Sequence, residues 1–131
     1  MSVCLDSWAA LAWIDSDEPA YSRVEALLEQ APLMSWVNAV EVYDRLDRVH
    51  GRNAADDTLA DLRKVITLEL PGPARMIEVG RLKSARPIAL GDCFAIATAA
   101  AHRIPLLTGD PEILAQSDLP CAVEDLRPHP A

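Results

Sequence analysis

Leu106-Leu107-Thr108-Gly109-Asp110-Pro111-Glu112 is a short apolar run that stops at a hydroxyl and a glycine, then opens a helix with an acid and a proline. Leucine-rich runs of this length suit a buried strand, and Asp followed by Pro is a strong helix start, because the acid accepts unpaired amide protons and proline tolerates the first helical position. The stretch therefore reads as a strand handing over to a helix. Short apolar runs likewise give way to helix-forming sequence at Val3-Cys4-Leu5-Asp6-Ser7, at Leu33-Met34-Ser35-Trp36-Val37 followed by Glu41, and at Pro87-Ile88-Ala89-Leu90 followed by Asp92. Each time, an acid stands where the apolar run gives way.

Working outward, strands are expected at about residues 2–5, 33–37, 66–70, 105–108 and 120–124, separated by helical patterns. That alternation predicts an α/β fold with a parallel sheet covered on both faces. The first helix is expected over Ser7–Ile14, and in the second Pro19 takes the first helical position ahead of Tyr21, Val24, Leu27 and Leu28. A third helix is expected to carry Val40, Tyr43, Leu46 and Val49 up to Gly51, and a fourth to run from about Asn53 to Lys64 with Leu59 and Leu62 inward. Met76, Ile77 and Gly80 mark a packed face on the helix after Pro71-Gly72-Pro73. Gly91 to Arg103 is rich in small residues and is expected to be the central helix, able to approach its neighbours closely.

The chain has 131 residues, 50% of them hydrophobic, which is enough for one domain spanning residues 1–131 with its own core. No apolar stretch is long enough to cross a bilayer and the amino-terminal residues do not read as a signal segment, so a cytoplasmic protein is expected. Three cysteines without metal-ligand spacing read as free thiols. A formal net charge of −8 argues against holding nucleic acid on a broad basic surface, since such binding is driven by phosphate neutralisation. Any such contact must be local or metal-mediated. Ten of the 12 basic residues are Arg, and Arg45, Arg48 and Arg52 fall close together as candidate phosphate contacts.

Asp6, Glu41, Asp92 and Asp110 have ordinary explanations one at a time. Acids are favoured in first helical turns, and Asn38-Ala39-Val40-Glu41 reads as a capping box with Asn38 as the cap. Capping needs only one small polar group, however, and here all four positions are acids. In a parallel α/β sheet the carboxyl ends of the strands share one side, so the four can converge on one crevice. Converging carboxylates repel unless a cation neutralises them, and all-oxygen ligands suit Mg²⁺ or Mn²⁺. Thr108 and Ser7 add neutral oxygens at the same rim.

Leu5-Asp6-Ser7, Asn38-Ala39-Val40-Glu41-Val42, Leu90-Gly91-Asp92-Cys93-Phe94-Ala95-Ile96-Ala97-Thr98-Ala99 and Leu106-Leu107-Thr108-Gly109-Asp110, in this order, resemble the PIN-domain family, and most of all the VapC-type toxins of bacterial toxin–antitoxin pairs. The resemblance implies a three-layer sandwich with sheet order 3-2-1-4-5 and an endoribonuclease that needs Mg²⁺ or Mn²⁺. It implies that Asp6, Glu41, Asp92 and Asp110 form the acidic quartet supported by Thr108. It also implies a homodimer held inactive by a cognate antitoxin whose tail covers the acidic groove. Glu112 reads either as an auxiliary acid or as a first-turn residue. The competing reading is a binding module of the same architecture whose acidic groove takes a basic partner peptide. A phosphoacceptor or aspartate-nucleophile phosphatase is disfavoured, because Lys64 and Lys83 precede the late strands and Trp8 stands where a second aspartate is needed.

Overall fold

Alternate residues of the short strands pack on opposite faces of one sheet. The computed structural model describes residues 3–129, in the order β1 (Cys4–Leu5), α1 (Ser7–Ile14), α2 (Ala20–Glu25), a 3₁₀ turn (Leu28–Gln30), β2 (Leu33–Ser35), α3 (Trp36–His50), α4 (Arg52–Val65), β3 (Thr67–Glu69), α5 (Pro73–Ala85), α6 (Leu90–His102), β4 (Leu106–Thr108), α7 (Pro111–Leu114) and β5 (Val123–Asp125). All four pairings are parallel and the strand order is β3-β2-β1-β4-β5, as expected. Leu5, Met34 and Leu107 face one core, closed by α1 to α4 through Ala9, Val24, Val42 and Leu62. Cys4 and Leu106 face the other, closed by α5 to α7 through Val79, Phe94, Ile96 and Ile113. This is period-two alternation with a helical layer on each side.

The central helix is α6. Gly91 through Ala99 are buried on every side of it, so it has no solvent stripe and behaves as a core helix rather than an amphipathic one. Its alanines let it lie against α5, α3 and the sheet together. Lys83 Nζ, near the end of α5, donates to the carbonyl of Ile88 at 2.7 Å and ties down the segment that leads into α6. Asp92 is thereby fixed in the first turn.

Several local expectations fail, for α3 and α5 because the arc that a helix buries is chosen by the elements packed on it and not by its largest residues. In α3 the buried residues are Asn38, Ala39, Val42 and Leu46, while Val40 and Val49 are exposed and Tyr43 is half-buried. On α5 Val79 is buried, whereas Met76 and Ile77 are more than half exposed, at 55% and 57%. Leu62 is buried but Leu59 only partly. Pro19 stands just before α2 instead of inside its first turn. Trp8 and Trp13 pack against the core, whereas Trp36 is 37% exposed with the Arg63 guanidinium 5.5 Å from its ring centre. Among the described residues no helix is long and apolar enough to cross a membrane.

Candidate active site

The sheet changes direction at β1: β2 and β3 lie to one side of it, β4 and β5 to the other. Ligand crevices in such sheets open at that point, beyond the carboxyl ends of the strands. Asp6 leaves β1 and Thr108 ends β4, and their strands are direct neighbours, with Leu5 opposite Leu107. The Asp6 carboxylate is buried. One oxygen accepts from the Ala9 amide at 2.8 Å, capping α1, and the other accepts from the Thr108 hydroxyl. Thr108 Oγ1 in turn accepts from the Asp110 amide at 2.9 Å. One buried hydroxyl thus links two of the acids.

Asp110 caps α7 through the Glu112 amide at 2.9 Å, with Pro111 behind it as expected. The cap turns α7 so that Glu112 joins the cluster. Asp92, Asp110 and Glu112 each offer a carboxylate oxygen, and these lie within 4.8 Å of one another. Glu41, on the exposed side of α3, projects over the start of α6. A β-carbon built on Gly91 would stand 2.3 Å from its carboxylate oxygen, so only glycine allows that approach. Glu41 Oε1 accepts from Asn38 Nδ2 at 2.8 Å. The capping-box expectation is corrected here: Ser35 caps α3, bonding the Val37 amide at 3.3 Å, and Asn38 sits inside the helix. The helix begins three residues early because Ser35, at the end of β2, supplies the cap itself.

The electrostatics are those of too many carboxylates in too little water. Burial pushes Asp6 up to about 7, opposed by the bonds from Thr108 and Ala9 and reinforced by the charges of Asp110 and Glu41. Asp92 is raised by burial first, then by the charge of Asp110 and a hydrogen bond shared with it, then by Asp6 and Glu112. Asp92 Oδ2 is buried with no hydrogen-bond partner among the described residues. An orphaned carboxylate oxygen is costly to leave, and beside two other carboxylates it fits a hard divalent cation with oxygen ligands. The residues present fit Mg²⁺ or Mn²⁺.

Ser7 opens α1 beside Asp6 and is half-buried. Arg48 is engaged by Asp44 at 3.0 Å, while Arg45, one helical turn on from Glu41, lines a cavity of about 550 Å³ with Trp8, Leu11 and Leu126. Arg52 begins α4 and is exposed. Gly109 allows a second close approach: a β-carbon there would stand 2.3 Å from the Trp8 ring. That ring cannot swing aside as a carboxylate can, so Gly109→Ala should destabilise the fold by about 1–3 kcal/mol, read by urea denaturation.

The sequence profile of the PIN domain matches residues 3–118, most of the chain and every acid described above. The chain belongs to the PIN domain family. No curated protein matches it in sequence. Solved structures similar to this PIN domain include VapBC2 from Rickettsia felis bound to a promoter DNA fragment, with a TM-score of 0.77 and 14% identity, covering 95% of this chain and 98% of that one. DNA-bound VapBC from Salmonella typhimurium gives a TM-score of 0.79 at 10% identity, covering 97% and 99%. VapC20 from Mycobacterium tuberculosis, described as a sarcin–ricin loop cleaving toxin, gives 0.67 at 18%, covering 87% and 94%. At these identities the likeness is one of fold, and it agrees with the parallel five-stranded sheet of this PIN domain.

Glu112 is the acid whose part the sequence left undecided. Its signal was the Asp-Pro-Glu spacing itself, which puts a second carboxylate in the first turn of a helix capped by the first.

Proposed function

We propose that this PIN domain is a metal-dependent endoribonuclease, the toxin of a toxin–antitoxin pair acting in the cytoplasm. The observation that carries the reading is the orphaned, buried Asp92 oxygen beside Asp110 and Glu112, with Asp6 held at the same crevice by Thr108. Asp92, Asp110 and Glu112 would hold Mg²⁺ or Mn²⁺, with Asp6 and Glu41 completing the site directly or through water. When bound there, such an ion would supply an activated water and offset charge on the departing oxygen. The chain's own residues do the rest. Thr108 fixes the Asp6 carboxylate against Ala9 and orients the Asp110 turn, Ser7 offers a further oxygen at the rim, and Glu41 closes the side facing α3. Among the described residues neither His50 nor His102 belongs to the acidic cluster, and His102 pairs with Glu69, so no imidazole base is needed.

The partners that follow are an RNA substrate, a cognate antitoxin whose tail covers the acidic groove, and a second copy of the chain. The test uses protein freed of any copurifying partner. Calorimetry should show Mn²⁺ binding, and an RNA should be cut in Mg²⁺ or Mn²⁺ but not in chelator. Metal binding without cleavage would favour the module that takes a basic peptide, a reading to which the net charge of −8 lends weight. Among the arginines, Arg45 is the strongest candidate for a phosphate contact, since Arg48 is already paired. Arg45→Ala should weaken RNA binding several-fold and flatten its salt dependence, measured by fluorescence anisotropy at several ionic strengths.

A further inference from the structure

Asn38, in the first turn of α3, is 1% exposed where that helix meets the start of α6. Its Nδ2 donates twice, to Glu41 Oε1 at 2.8 Å on its own helix and, across the seam, to the Gly91 carbonyl at 3.1 Å. Both partners are pure acceptors, so the amide can face them only with its nitrogen. Its Oδ1 is left buried and without a partner among the described residues. An apolar side chain would fill the same space without that cost, so the amide contributes its two donors and not simply its bulk. Gly91 provides the complementary half. Its missing side chain leaves the room in which the Glu41 carboxylate lies, next to Asp92 in the chain.

We infer that Asn38 is a positioning residue: together with Gly91 it clamps the Glu41 carboxylate to the first turn of α6, so that Glu41 and Asp92 present their oxygens to one ion. This rests on the metal-dependent reading above and adds a residue to it. Glu41 is otherwise a long, flexible side chain on the exposed face of α3, with rotamer freedom that the clamp removes before any ligand arrives. Holding an outer partner of a metal ligand in this way is commonly felt as about 10–100-fold in metal affinity.

The test is a double-mutant cycle on Mn²⁺ affinity by calorimetry, with Asn38→Ala, Glu41→Ala and the pair. Asn38→Ala should weaken Mn²⁺ binding by about 10–100-fold in the parental background and add nothing in the Glu41→Ala background. Equal losses in both backgrounds would overturn the inference and leave Asn38 as packing alone. Should Asn38→Ala fail to fold, Gly91→Ala reads the same clamp. The added methyl meets only the movable end of Glu41, and Ala suits a helix better than Gly, so the metal-free melting temperature should hold or rise while Mn²⁺ affinity falls. Parental Mn²⁺ affinity in a folded Gly91→Ala protein would also overturn it. A parental protein that binds no Mn²⁺ would defeat the metal reading instead. The clamp is then judged without metal, by whether the Asn38 side-chain NH₂ resonances move in Glu41→Ala and Gly91→Ala. Resonances that stay put in both would sink it.

Discussion

Asp6→Asn should cut metal-dependent RNA cleavage by at least about 100-fold, the scale on which one electrostatic group at a reacting centre is felt, while making the metal-free protein more stable in mild alkali. The two effects have opposite signs because the same buried charge does both jobs. Asn keeps an oxygen for the Ala9 amide, so the α1 cap survives. It removes a carboxylate that burial has pushed up to about 7 from an ordinary value of 3.8, a difference worth at most about 4 kcal/mol once the group is ionised. A structural cap alone would leave both the activity and the melting temperature near the parental values, since Asn caps as well as Asp. Cleavage of a labelled RNA in Mn²⁺, beside thermal denaturation in chelator, distinguishes the two.

The metal-free parent should lose stability as pH rises from about 5 to about 8, and Mg²⁺ or Mn²⁺ should restore it at the upper end. In the folded chain Asp6 holds its proton up to about 7, and Asp92 is raised in the same direction, whereas the unfolded chain releases both protons near 4. Between those values the folded state binds more protons, so unfolding is favoured by raising the pH. The contribution is fully present below the unfolded value and gone above the folded one. Glu69 and Asp125 are shifted the other way by Arg75, His102 and Arg127, so their contributions change only in more acidic solution, outside this window. A cation bound by the carboxylates takes the place of the protons, and its stabilisation should therefore grow with pH. Melting curves at the two pH values, with chelator and with Mn²⁺, check the sign. A curve that rises with pH in chelator would mean that the acids are not crowded as described.

The depth of the crevice explains why these effects should be large. Thr108, Asp6 and Asp92 are all buried, and charge interactions gain strength where water is excluded. Arg48 and Asp44, both exposed, form an ion pair of the kind worth well under 1 kcal/mol.

How much of this was legible without coordinates differs from residue to residue. The strand-to-helix handovers at Asp6 and Asp110 were plain, because a cap and a proline act on their own neighbours. The central position of α6 was plain as well, since a helix of alanines with a glycine at its start has no use for solvent. The part played by Asn38 was misread. It has the composition of a cap, and only the position of Ser35 at the end of β2 moved the helix start and freed Asn38 to reach α6. The exposed faces of α3 and α5 were misread because the buried arc of a helix is chosen by its neighbours, not by its own largest residues.

Residue order by itself determined the succession of strands and helices, the parallel sheet and the identity of the acids, because those depend on periodicity, capping and the chemistry of single side chains. Tertiary structure alone decided which oxygens meet: that Glu112 joins Asp92 and Asp110, that Thr108 bridges Asp6 to the Asp110 turn, and that Glu41 lies in the gap left by Gly91. Those distances are set by how close two helices and two strands approach, and such approach is a property of packing between segments far apart in the chain.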